Sequence, residues 1–264
     1  MRFGLALTGA LILLAIVGPW IAPHSPAQLV GPPFSPPSST FLLGTDYIGR
    51  DILSRVLCGG RTVIGLSLLA TVLGVSIGAV VGMAVVFCSH RADTLVMGVN
   101  DVILSIPQIV LVLVFVSIAG PKLWLIVLLV ALSHSPRVMR LTRSVAAEMR
   151  RREFVEFAAL TGLSRRRIAF QEIMPNLATP LLIEFGIRLA WSVGIIAGLS
   201  FIGYGIQAPT ADWGLMINEN RGALTIQVFA VLAPIVCIFL FTIGTNLMTE
   251  GIARAAGRSE RVEL

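Results

Sequence analysis

The chain has 264 residues, of which 56% are hydrophobic and only 13% charged, with a formal net charge of +6 and a mean hydropathy of +0.89. An ordinary soluble domain carries about 25% charged residues, so a domain with a large aqueous surface is excluded and a polytopic membrane protein is indicated. The basic residues lie in separate loops rather than in one patch, which speaks against a nucleic-acid partner and for membrane topology.

Crossing a bilayer takes roughly 20 apolar residues. Six stretches qualify: Phe3–Ile21, Thr62–Phe87, Leu95–Ala119, Leu123–Arg140, Pro180–Ile202 and Gln227–Met248. The first, with Arg2 as its only leading charge, is read as an uncleaved span rather than a signal peptide, because Ala22-Pro23-His24-Ser25 is a poor cleavage site. A loop rich in Pro follows (Pro26, Pro32, Pro33, Pro36, Pro37) and reads as extended linker. It ends in Leu43-Gly44-Thr45-Asp46 and Gly49-Arg50-Asp51, predicted to form a turn and a short amphipathic helix to Arg55. Along the second span, Gly65, Ser67, Gly74, Ser76, Gly78 and Gly82 permit close helix approach. Asp93 and Asp101, near Arg91, are expected in interfacial salt bridges. Pro107 and Pro136 are candidate kink points in the third and fourth spans.

Of the 20 basic residues, Arg188 falls inside a span; with the N-terminus inside, fourteen lie in inner segments, Arg258 and Arg261 among them, and five (Arg50, Arg55, Arg61, Lys122, Arg221) in outer ones. This bias predicts that both termini are cytoplasmic. The polar segment 148–176 is then cytoplasmic too. A helix from Glu148 through Leu160 is expected to end at a left-handed Gly162; Ser164 is expected to cap a second short helix, stopped by Pro175. Phe154, Phe157, Ile168 and Phe170 supply an apolar side, and Glu153, Glu156, Arg165, Arg166 and Arg167 a charged one.

Cys58, Cys88 and Cys237 are scattered, as are His24, His90 and His134; all six are read as isolated packing or surface residues, with no metal site, cofactor site or nucleophile–base pair. In the fifth span, Glu184 and Arg188 stand at i,i+4 on one helix face. A central Arg costs about 2.5–3.5 kcal/mol on the insertion scale, so the pair faces protein or water: either it lines a solute route or it holds the span against a neighbour. Trp and Tyr favour membrane interfaces, which suits Tyr204 and Trp213 in the outer loop. A P-loop needs Gly-x-x-x-x-Gly-Lys-Ser/Thr; the only lysine, Lys122, is followed by Leu123, so the usual phosphate cradle is absent and the chain is not expected to be an enzyme itself.

The segment 153–176 resembles the EAA loop of importer-type ABC permeases, Glu-Ala-Ala-x-x-x-Gly-x9-Ile-x-Leu-Pro. Glu156, Ala158, Gly162 and Pro175 match, while Phe157, Glu172 and Met174 depart from the pattern. Leu43-Gly44-Thr45-Asp46, Asp101 with Ser105-Ile106-Pro107, and Leu199-Ser200-Phe201-Ile202-Gly203-Tyr204-Gly205 through Trp213 resemble the second permease of oligopeptide and dipeptide importers. The resemblance implies an all-α fold of six membrane helices in the bacterial plasma membrane: residues 1–61 as first helix and outer loop, 62–250 as the type I permease core, 251–264 as a cytoplasmic tail. It implies a second, similar permease, two cytoplasmic ATPase subunits and an extracytoplasmic solute-binding protein as partners. Glu153, Glu156, Ala158, Gly162, Arg165, Arg166 and Pro175 become the ATPase-coupling set. Glu184, Arg188 and Ser200 become path candidates, and Tyr204, Asp212, Trp213, Glu219 and Arg221 candidates for the outer gate or binding-protein docking. Against the peptide-importer pattern, Glu184 and Arg188 replace uncharged residues, and Ile196 stands where an acidic residue is frequent. The solute therefore stays open between peptides and a metal chelate such as haem or a nickel complex. A stand-alone secondary carrier and a membrane enzyme are the competing classes.

Overall fold

The computed structural model describes residues 2–262, with side chains described through residue 255; the side chains of Arg258 and Arg261 lie outside the described residues. In chain order the helices are α1 (Arg2–Ile21), α2 (Ile52–Val86), α3 (His90–Ser105), α4 (Gln108–Ala119), α5 (Leu123–Met149), α6 (Glu153–Leu160), the single turn α7 (Arg165–Arg167), α8 (Met174–Phe201), α9 (Trp213–Asn220) and α10 (Phe229–Val262). Among the described residues there is no β-strand, only two isolated bridges, Leu29 with Arg50 and Thr45 with Asp51. Among the described residues five helices are long and apolar enough to cross a membrane, and α3 with α4, counted together as one broken span, gives a sixth.

Several boundaries differ from the sequence expectation. The short amphipathic helix before Thr62 is the start of α2 itself. Asp51 caps it by accepting the Ser54 N–H at 3.0 Å, and nothing breaks the helix before Phe87. Gly59 and Gly60 are tolerated because the indole of Trp213 packs over them. The third span is broken, with an 81° bend. Pro107 has no N–H to give and holds Ile106 extended, at φ −87° and ψ 126°, as a residue before proline must be. Pro136, by contrast, is accommodated inside a continuous α5. That helix runs on through Met149, so the predicted helical run from Glu148 starts instead at Glu153. The last helix continues beyond Met248 through Val262.

The most extensive helix pair is α2 with α5. Gly74, Gly78 and Gly82 lie against the α5 backbone at Ala131, Ser135 and Met139, so close that a Cβ at any of them would overlap it. This is the small-residue stripe read from the sequence, narrowed to one residue per turn. Gly65 meets no described neighbour and Ser76 is exposed, so neither belongs to the contact. Helix α1 packs on α2 and α10, with Gly4 against Leu247 and Gly18 against Leu57. A large apolar core joins α1, α2, α4, α5, α8 and α10. A second core, at the end of the bundle that carries α6, joins Met83, Ala146, Val155, Ala158, Ile168, Ala169, Ile173 and Leu177.

Candidate coupling and translocation sites

Helix α6 is amphipathic in a specific sense. Val155 and Ala158 face the second core and are buried, at 2% and 5% exposure. Phe154, Phe157 and Leu160, three residues apart, form an exposed apolar stripe, with Leu160 87% exposed. Glu153 and Glu156 flank that stripe and are exposed, with no ion-pair partner among the described residues. A recess of about 730 Å³ opens beside it, lined by Met149, Arg151, Arg152, Glu153, Phe154 and Asn176. A stripe of large apolar residues on a polar end is a surface made to be covered.

The elbow after α6 follows the sequence reading closely. Gly162 has φ +84°; its N–H donates to Ala159 O at 3.1 Å and the Leu163 N–H to Ala158 O at 3.2 Å, the paired bonds of a Schellman cap. Ser164 then caps α7, accepting the Arg167 N–H at 3.4 Å. Pro175 does not stop the next helix. A π-helical segment, Ile168–Ile173, widens the backbone just before it, and Met174 donates to Ala169 O. Proline at the second position of α8 removes a donor where the bonding pattern is already changing. A Cβ at residue 162 would meet no described atom, so Gly162→Ala strains only the backbone. The expected result is a loss of about 1–2 kcal/mol, concentrated at the elbow, read as faster amide exchange at Leu163 and Ser164 with unchanged exchange in α2.

At the opposite end, α9 and the segment before α2 lock together. Asp46 accepts from Arg50 Nε and Arg55 Nη1, both at 2.6 Å; Glu219 receives Arg50 Nη2 at 2.8 Å and Arg55 Nη1 at 2.7 Å. The Tyr47 N–H donates to Asn220 Oδ1 at 3.1 Å. Three outer-loop candidates therefore serve structure. Trp213 is 1% exposed and its indole N–H donates to Val56 O at 2.9 Å, so it is no interfacial belt residue. Asp212 is buried and caps α9 by accepting the Leu215 N–H at 2.9 Å. Glu219 spends its carboxylate on the two arginines. Tyr204 and Arg221 remain exposed. Ser200, expected on the path, is fully buried, and its hydroxyl accepts the Ile206 N–H at 3.1 Å, closing the turn after α8.

Burial pushes the Asp212 carboxyl up to about 6, against the opposing pull of the Leu215 and Gly214 N–H groups, the Ser200 hydroxyl and Arg55. The folded-state value lies above the ordinary 3.8, so folding favours the protonated form. That contribution is fully present below 3.8 and is lost as pH rises through about 6. Asp212→Asn keeps a capping oxygen and is expected to flatten the pH dependence of thermal stability between these values. An unchanged slope in differential scanning fluorimetry of the purified complex would refute it.

The structure also assembles a polar chain that the sequence reading missed. His134, read as isolated, is fully buried. Its Nε2 lies 2.9 Å from Ser192 Oγ, which lies 2.9 Å from Thr71 Oγ1; Thr71 donates its one hydroxyl proton to Ser67 O at 2.7 Å. Ser192 must then donate to Thr71, and His134 Nε2–H to Ser192, leaving Nδ1 to accept from Gln108 Nε2 at 3.4 Å. Gln108 also donates to Ser133 O at 2.7 Å. The chain ties α2, α8 and α5 to the residue that starts α4 at the bend. Residues far apart in sequence carry no shared spacing, so no motif announces it. Asp93 and Asp101 do form the expected salt bridges, but across to Arg143 and Arg140 of α5 rather than with Arg91.

In α8, Glu184 and Arg188 form the predicted pair, Nε to Oε1 at 2.8 Å. They border a cleft of about 610 Å³ between α5 and α8 that also includes Arg137, Arg140 and Ser144.

A family model for the binding-protein-dependent transport system inner membrane component matches residues 70–258. The chain belongs to that family. It is 32% identical over 262 residues to the di/tripeptide transport system permease protein DppC of Pseudomonas aeruginosa strain UCBPP-PA14, covering 95% of this chain and 86% of that one. It is 29% identical over 253 residues to the nickel transport system permease protein NikC of Escherichia coli strain K12, covering 96% and 91%. Among solved structures, the MetNI methionine ABC transporter in an inward-facing conformation superposes with a TM-score of 0.59 at 15% identity, over 75% of this chain and 96% of that one; this likeness concerns the fold. The chain is thus a multi-pass membrane subunit of a binding-protein-dependent transport system, and its helices match the all-α permease architecture expected from the sequence.

Proposed function

We propose that this chain is one of two permease subunits of an ATP-driven importer of short peptides, with the α6 end cytoplasmic and the α9 end facing the solute-binding protein. The observation that carries the reading is α6: an exposed Phe154–Phe157–Leu160 stripe and two glutamates without an ion pair among the described residues, mounted on a packed core and followed by the Gly162 cap. Such an element transmits force from a separate protein seated on it. Two ATPase subunits, one per permease, fit that role, because this chain has no P-loop. Alternation between inward-open and outward-open states then follows from rigid-body movement of the two permeases. The exposed Tyr204 and Arg221 are offered to the binding protein.

Peptide as solute is supported by the DppC relative; a nickel chelate is the second reading, supported by the NikC relative. The test is the complex purified in mild detergent and returned to liposomes. A second permease and an ATPase should copurify, and di- and tripeptides should stimulate ATP hydrolysis more than nickel chelates or haem. Uphill solute accumulation by this chain alone would overturn the importer reading, and stimulation by the chelates alone would overturn the peptide.

A further inference from the structure

We propose that the cleft between α5 and α8 binds the carboxylate of the passing solute, with Arg137 and Arg188 as its ligands. The inference rests on the importer reading above and adds the chemical group that is recognised.

Arg188 is 5% exposed. Glu184 takes Nε at 2.8 Å, while the buried Nη1 has no acceptor among the described residues. A buried guanidinium with donors to spare is an incomplete site. Arg137 borders the same cleft and is exposed to it; it has no carboxylate partner among the described residues, whereas Arg140 has Asp101 and Arg188 has Glu184. Three guanidiniums against two carboxylates leave one positive charge, and it sits on Arg137. Position sharpens the point. Arg188 is central in its span, about 20 Å along α8 from Phe201 and about 21 Å from Met174 at helical rise, where a charged group belongs beside a water-filled or solute-filled space. Arg137 lies near the inner end of its own span and borders that space from the cytoplasmic side.

The chemistry selects the ligand. A guanidinium presents a planar fork that fits a carboxylate through two parallel bonds. Glu184 sets the strength: its carboxylate competes with that of the solute for Arg188, so the visitor is held briefly and released, as passage requires.

The test uses the complete complex with its binding protein in liposomes, and two probes, alanylalanine and its C-terminal amide. The binding protein is the same in every arm, so any change in preference belongs to the permease. Arg137 is the residue to change, because its side chain is exposed and has no ion pair among the described residues. Arg137→Gln is expected to lower uptake of the free acid about tenfold and to leave the amide unchanged, with Arg137→Lys retaining most acid uptake. Arg137→Glu is expected to turn the preference toward the cationic amide. An equal fall for both probes, no fall, no shift with Arg137→Glu, or loss of the second permease from the Arg137→Gln complex would overturn the proposal. The last outcome would assign Arg137 to an ion pair with the neighbouring subunit. A wild-type complex that moves neither probe overturns the peptide reading, and this inference with it.

Discussion

Glu156→Lys is expected to leave the protein inserted and assembled with its second permease while cutting transport-coupled ATP hydrolysis at least tenfold. The residue is exposed and has no ion pair among the described residues, so its reversal touches no internal contact; surface changes of this kind usually shift stability by no more than about 0.5 kcal/mol. At a covered interface the same change places a like charge where an opposite one was matched, and disrupting a buried charge pair costs about 2–5 kcal/mol, more than the roughly 1.4 kcal/mol that a tenfold loss requires. The measurement is solute-stimulated ATPase together with uptake in liposomes. Wild-type rates in both would remove α6 from the coupling role, whatever the fate of the peptide reading.

Arg55→Met should destabilise the α9 end by about 3–5 kcal/mol, the usual result of removing one partner from a buried ion cluster. Arg55 is fully buried, and its Nη1 alone reaches both Asp46 and Glu219. Without it, Arg50 faces two carboxylates in a largely buried site. Adding Asp46→Asn should recover part of the loss, because the surplus negative charge is then gone. Thermal unfolding of the purified complex reads both steps. An unchanged midpoint in the single variant would mean that packing, not charge, holds this end together.

These two sites were legible to different degrees. The elbow could be read because its signals are local: Gly162 needs a left-handed backbone, Ser164 caps within three residues, and Val155 and Ala158 share a helix face. The six apolar spans were legible for the same reason, since length and composition suffice. Their ends were not. The polar start of α2 looked like a loop helix because Arg50 and Arg55 read as surface charges until Asp46 and Glu219, the latter more than 160 residues away, are brought to them. Trp213 read as an interface residue because its acceptor, Val56 O, belongs to another helix. Pro175 read as a stop because the π-helical widening before it has no sequence signature. His134 read as isolated because Ser192, Thr71 and Gln108 reach it only by folding. The Glu184–Arg188 pair was visible from its spacing; the cleft it borders, with the unmatched Arg137, was not.

One consequence of α2 extends beyond its own packing. The helix spans 35 residues without a break, about 52 Å at helical rise. One end is seated among the Asp46–Arg55–Glu219 charges, and Met83 near the other is seated in the core that carries α6. Close-packed interiors compress little, and the glycine stripe clasps the shaft to α5 along its middle. Helix α2 therefore has the build of a connecting rod, joining the core that carries α6 to the charge cluster at the far face of the bundle in one unbroken helix.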